Sequence, residues 1–464
     1  MPTAPGLPSD PTALIRSREY RVLLVVASLV GLLVSAASWC FLELVHELQV
    51  GVYEELPDRL GYDSVPAWWP LPWLALAGLV TAFAIQRLPG RGGHVPAEGL
   101  KTGGAPTQPL ELPGVLLAAT ATLGLGLVLG PEAPLIALGM GLGILAMRLL
   151  KKDAPEQALG LMAAAGSFAA VSTIFGSPVI GAVLIIEATG LGGAILPLVL
   201  LPGLLAAGIG SLVFIGLGSW SGFSEAAWQL SPFTLPPFDG PGWGDFGWTI
   251  VLAIAAAVVS FAIMELARRT QRLVEARRYP LTIAAGLAVG ALAIAFAQTT
   301  DQSENAVLFS GQEAFGSLFA SATTVSVSTL VLLFLFKGIA WSISLGSFRG
   351  GPTFPAIFLG VVGGLIAAHL PGYAETQAVA VLVGAMCVSI LRLPLSSVMI
   401  ALLLTVNAGV AVAPLIIVAV VVAYLTSLAL TAYVDGRIGA EPGLGAPPGS
   451  DAASPRDQAA LPAG

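Results

Sequence analysis

The sequence predicts an all-α polytopic membrane protein, and three observations carry that reading. Of 464 residues, 56% are AVILMFWYC and only 10% are Asp, Glu, Lys or Arg, against about 25% charged in soluble domains. The apolar residues come in long runs and not in the period-two alternation of a membrane barrel. Gly and Pro, 55 and 34 residues, repeatedly interrupt those runs. A disordered chain, a coiled coil and an ordinary soluble enzyme are excluded. With 20 Lys plus Arg against 27 Asp plus Glu, a net charge of −7, no basic face can be assembled for nucleic acid.

Residues 1–19 form a polar, Pro-rich N-terminal segment without a signal-peptide cleavage pattern. The run at 20–50 is long enough to cross a bilayer with tilt. Further apolar runs fall at 68–87, 113–130, 132–150, 156–173, 177–189 and 191–217. A Trp- and Pro-rich stretch at 218–247 separates these from runs at 248–267, 280–298, 325–347, 353–371, 376–391, 394–406 and 409–433. The transmembrane domain is thus expected over 20–433, with a first half at about 20–217 and a second at about 248–433. The Gly-, Pro- and Ala-rich tail at 434–464 reads as disordered. Several runs fall short of the ~20 residues a straight span needs. Broken backbone at membrane depth is tolerated only where protein buries it or a wet cavity meets it, so re-entrant helices point to a binding site.

Basic residues cluster at Arg16, Arg18 and Arg21, at Arg87, Arg91 and Lys101, and at Arg268, Arg269, Arg272, Arg277 and Arg278, the last group filling one short loop. The positive-inside rule then places the N-terminus in the cytoplasm. Trp68, Trp69 and Trp73 suggest an aromatic belt. Cys40 and Cys387 both lie in apolar runs and suggest no disulfide framework. His46, His94 and His369 are too scattered for a metal site, and no cofactor is implied.

One internal repeat aligns without gaps. Gly130–Ala146 reads GPEAPLIALGMGLGILA and Gly351–Ala367 reads GPTFPAIFLGVVGGLIA, identical at 8 of 17 positions and sharing G-P-x-x-P at both starts. Two structural halves, inverted and meeting at a mid-membrane site, are the pattern this suggests. Pro suits a first helical turn, where its missing N–H is not needed. The free N–H groups of that turn and the positive dipole end favour an anion. Two such ends facing each other would hold an anion without any full positive charge, whereas a fixed Lys or Arg would hold a halide too tightly for fast passage. The small-residue spacing Gly139–Gly143 reads as close helix packing.

Glu132 stands in the first start and its repeat mate is Thr353. A carboxylate among apolar residues at membrane depth is expensive and points to function. It can mimic an anion, taking the same N–H groups until a halide displaces it or a proton neutralises it. The plain alternative is a helix N-terminal acid acting only as a cap.

With these residues in place, the chain resembles the CLC family of chloride channels and chloride/proton antiporters over most of 20–433. It is similar to a divergent prokaryotic-type member without cytoplasmic CBS domains. The family's gating-glutamate motif GREGP resembles Gly130-Pro131-Glu132-Ala133-Pro134. Its GSGIP motif resembles Gly92-Gly93-His94-Val95-Pro96, with Thr102-Gly103-Gly104-Ala105-Pro106 as another placement. Its GxFxP motif resembles Gly351-Pro352-Thr353-Phe354-Pro355. The resemblance implies a CLC-like inverted repeat with anion-binding positions at Gly93, His94, Gly130, Pro131, Ala133, Gly351, Thr353 and Phe354, and a gate at Glu132.

Departures from the pattern carry consequences. The family's anion-touching Ser falls on Gly93, so backbone donors, His94 or Thr102 would replace its hydroxyl. The family's Phe falls on Thr353, one position before Phe354. Its inner-gate Tyr has no match, Tyr433 being the nearest candidate. Of the Glu-Glu pair of family antiporters, Glu187 matches the first acid, while Ala188 occupies the proton-handling position. Either Glu187 serves instead or water alone carries the proton; the plain reading of Glu187 is a carboxylate at a helix end, and that of His94 a polar loop residue.

The function expected is transmembrane chloride transport gated by Glu132, channel-like or weakly proton-coupled. Full chloride/proton antiport and transport of fluoride or nitrate are the alternatives. An intramembrane enzyme lacks a credible catalytic set, so no enzyme activity is expected. The resemblance also implies a homodimer in the lipid bilayer of the plasma membrane, with 177–215 and 394–430 as its interface.

Overall fold

The computed structural model describes residues 15–99, 105–221, 230–321 and 325–440. Lys101, Thr102 and the start of the other motif placement lie outside the described residues, as do 1–14 and 441–464 of the two terminal segments. The described residues are mainly helical, joined by loops, with one isolated antiparallel bridge.

The first half contains α1 (Arg18–Val50), α2 (Pro70–Arg87), α3 (Leu112–Gly124), α4 (Glu132–Leu150), α5 (Glu156–Phe175), α6 (Pro178–Thr189) and α7 (Leu196–Ser221). The second contains α8 (Trp243–Ala276), α9 (Arg278–Thr300), α10 (Val327–Ser347), α11 (Thr353–Ala367), α12 (Glu375–Leu391), α13 (Pro394–Leu404) and α14 (Ala413–Ala440). Local chemistry fixes many of their ends. The Ser17, Ser177 and Ser326 hydroxyls accept from the amides of Tyr20, Ile180 and Thr329 at the starts of α1, α6 and α10. Pro178 and Pro394 open α6 and α13. Among the described residues eight helical stretches are long and apolar enough to span a membrane, while α3, α6, α11, α12 and α13 are shorter apolar pieces.

The halves share a packing plan. In each, the repeat helix packs on its successor, α4 on α5 and α11 on α12, and the long first helix packs on the last, α1 on α7 and α8 on α14. The glycines of the repeat make this possible. A Cβ at Gly139 or Gly143 would strike the backbone of Gly166 or Met162, and one at Gly360 or Gly364 the backbone of Val383 or Val379. The turns that follow also match: Gly176 and then Pro178 lead from α5 into α6, and Arg392 and then Pro394 from α12 into α13, with Gly176 and Arg392 both left-handed.

Two expectations change. The basic residues Arg268, Arg269 and Arg272 lie on α8, which runs well past the apolar stretch. Glu265 pairs with Arg269 at 3.0 Å and with Arg268 at 3.6 Å, which sustains helix beyond the hydrophobic run. Trp69 does not face outward: it is buried within the protein, and its indole N–H donates to Val52 O at 2.9 Å. The Trp- and Pro-rich stretch contributes a strap over 230–242. Leu230, Phe233 and Leu235 are buried in it, and the Leu230, Phe233 and Phe238 amides donate to Ile174, Leu404 and Ala408, tying both halves together.

Lys337 interrupts the apolar run of α10. It is fully buried in α10 and donates to Ala306 O, Val307 O and Leu308 O at 3.0, 3.1 and 2.8 Å, with the Phe358 ring centroid 4.4 Å away. All three ammonium donors are satisfied, so the residue clamps the loop that follows α9.

Candidate anion site

Two helix starts meet at the centre of the fold. Pro131 and Pro352 precede α4 and α11 with nearly the same backbone, φ −84° and ψ −6° against φ −90° and ψ −10°, and neither helix has a side-chain cap at that position. Gly130 and Gly351 form the antiparallel bridge between the two starts. The first-turn amides of both helices therefore converge near one point, the arrangement that favours an anion.

Glu132 is fully buried. It caps the other half and not its own helix alone: the Thr353 amide donates to Glu132 Oε1. The amides of Phe354 and of Glu132 itself also bear on the carboxylate. Oε2 is buried with no partner in hydrogen-bond geometry. Close packing holds the group there. A Cβ on Gly351 would overlap the Glu132 carboxyl, and a Cβ on Gly130 would meet Glu132 Oε2 and the Phe354 ring. Phe354 is itself buried against Phe175, ring centroids 6.1 Å apart. Among the described residues Glu132 is the one fully buried carboxylate. Thr353 is buried beside it.

The remaining positions form a second cluster. A small cavity of about 10 Å³ is lined by Gly92, His94, Val115, Ala133, Pro134, Arg349 and Gly350. It joins the loop 92–94, α3, the first turn of α4 and the segment before α11. Gly92 and Gly93 reach φ +74° and +90°, conformations that a side chain would strain. A Ser at position 93 would thus meet a backbone built for Gly, and Val115 lies 3.1 Å from where its Cβ would sit. His94 Nε2 bonds to Gly99 O and braces the loop. Tyr433 is exposed on α14 and lines no part of this cavity.

Arg349 departs from the expectation of a site free of full charges. It is only 4% exposed and lines the cavity. Its repeat counterpart is Val128, so the charge belongs to one half alone. The sequence signal was a lone cation in the gap between the runs at 325–347 and 353–371.

Glu187 sits apart from this centre. Leu395 N, Ser396 N and Ser396 Oγ donate to its two oxygens at 2.8, 2.7 and 2.6 Å, so the carboxylate caps the start of α13 in the other half. Ala188 adds no polar group beside it.

The "voltage gated chloride channel" family profile matches residues 73–428. Among relatives, the protein YfeO of Escherichia fergusonii, named for ion transport, is 28% identical over 362 residues, covering 77% of this chain and 81% of the relative. YfeO of Escherichia coli matches with the same identity and coverage. Among solved structures, a slow cyanobacterial Cl⁻/H⁺ antiporter superposes with a TM-score of 0.72 at 20% identity, covering 90% of this chain and 98% of the other. A CLC-type fluoride/proton antiporter superposes with a TM-score of 0.65 at 17% identity, covering 88% and 95%. The family consists of ion channels and transporters, not enzymes. By the family match over most of its length, and by its fold, this multi-pass membrane protein belongs to the CLC family of voltage-gated chloride channels and transporters.

Proposed function

We propose that the protein carries chloride across the membrane past Glu132, whose carboxylate stands in for the anion. The observation that carries this reading is the bond from the Thr353 amide to Glu132 Oε1, because it fills an anion-favouring helix start with the side chain of the opposite half. Chloride arriving competes for the same amides. A proton on Glu132 removes the charge that holds it there, and the carboxyl swings out. Either event opens the path.

Coupling to protons is weak in this reading. Glu187 spends both oxygens on α13, and Ala188 offers no acid at the position where family antiporters carry one. The protein works as a homodimer in the plasma membrane with a cytoplasmic N-terminus. Apolar side chains exposed along α6, α7, α13 and α14, among them Val179, Leu212, Leu395 and Leu425, support a paired face within the proposed interface. The basic end of α8 supports the orientation.

The test is chloride efflux and internal pH recorded together from liposomes holding the purified protein, with membrane potential clamped at zero. Chloride efflux with little proton movement is expected. Uphill proton transport at a fixed ratio to chloride would replace weak coupling with antiport. Absence of flux for chloride would move the substrate to another anion.

A further inference from the structure

We infer that Arg349 is an anion-holding residue, and that its cavity takes one small inorganic anion, such as a halide, at a site separate from the Glu132 carboxylate. The inference rests on the proposed anion pathway but is tested independently of gating.

Three observations lead there. First, the guanidinium makes no close ion pair, although the charges of Glu275 and Glu98 bear on it from further away. No described carboxylate lies within ion-pair distance of Arg349, and Glu275 pairs instead with Arg278 at 3.9 Å. Arg349 Nη1 donates to Phe348 O at 3.1 Å, while the buried Nε has no partner. A buried cation with an idle N–H is costly unless an anion joins it. Second, the side chain lines a cavity, and the other walls suit an anion. Ala133 and Pro134 belong to the first turn of α4, and Gly92 and Gly350 leave backbone open to approach. Third, the cavity is small, about 10 Å³, so it suits a small inorganic anion and not one as bulky as gluconate.

Position makes the residue a specificity element. The two helix starts supply partial charges that release an ion easily, whereas Arg349 supplies a full, permanently protonated charge and forked donors. An ion beside it is bound more firmly than at the helix starts, so the chain retains a halide while Glu132 closes the path. Slow turnover is the consequence.

The experiment uses the full purified chain in detergent, with thermal unfolding and titration calorimetry in chloride, fluoride, nitrate and the bulky anion gluconate at fixed ionic strength. In wild type, chloride, fluoride and nitrate each raise the unfolding midpoint relative to gluconate. Arg349→Gln loses that halide-dependent rise and weakens halide binding at least tenfold, and Arg349→Lys recovers part of both. The same loss appears when Arg349→Gln is made in a Glu132→Gln background, where the gate no longer competes. A merely structural arginine would lower the midpoint equally in every salt, leave the halide-dependent rise intact, and overturn the inference. Equal midpoints in chloride and gluconate would also overturn it. If Glu132→Gln leaves flux and its pH response unchanged while the Arg349 effects persist, the gating reading fails and this one stands.

Discussion

Gly130 and Gly351 exchange reciprocal backbone hydrogen bonds, Gly130 N to Gly351 O at 2.7 Å and Gly351 N to Gly130 O at 2.6 Å. These residues are the first of the two repeated motifs and lie 221 positions apart in sequence (130 to 351). The bridge fixes the separation of the two helix starts. It also leaves no room for a side chain, because the Glu132 carboxyl occupies the space a Cβ on Gly351 would take. Gly351→Ala should displace that carboxyl from the Thr353 amide. Faster chloride flux at neutral pH is the expected outcome, with a stability loss of about 1–3 kcal/mol from overpacking. Flux assays beside thermal unfolding check both. A stable variant with wild-type flux would remove the steric link between Gly351 and the gate.

Glu132→Gln fixes the neutral form of the gate. Wild-type flux should rise on acidification, since protonation discharges the group that competes with chloride. The variant should transport at least as fast as wild type at neutral pH and respond little to acid. A pH series of chloride efflux checks this, and a variant with the wild-type pH response would sink the assignment.

Glu187→Ala uncaps α13. Three donors lose their acceptor, two of them first-turn amides. Because Glu187 is only partly buried, water takes up part of the loss, and a destabilisation of about 1–2 kcal/mol is expected, as for other lost N-caps. The ratio of protons to chloride should not change. A change in that ratio with stability preserved would give Glu187 a role in proton movement.

Lys337→Met deletes the clamp on the loop after α9. Three buried carbonyls, those of Ala306, Val307 and Leu308, lose a charged donor. The expected loss of stability is about 3 kcal/mol or more, from the unsatisfied acceptors. Unfolding in detergent measures it. Near-wild-type stability would mean that water replaces the ammonium.

The sequence by itself determined the class, the placement of most helices and the central acid. Apolar runs and their Gly and Pro breaks are local properties, so α4, for example, falls where the run at 132–150 ends and begins. The G-P-x-x-P start at both Gly130 and Gly351 disclosed the repeat, and the repeat singled out Glu132. Tertiary structure alone decided what these groups touch. The partner of Glu132 is an amide 221 positions away, and that of Glu187 lies 208 and 209 positions away. No local periodicity encodes such pairs. Arg349 stands 257 positions from Gly92 and 216 from Ala133, its neighbours around the cavity, so no pattern along the chain joins them. Lys337 is a partial exception, because an ionisable residue inside an apolar run is a signal in itself. That it closes on three carbonyls and not on an ion depends on how the loop over 304–308 folds back, and only the packed helices fix that.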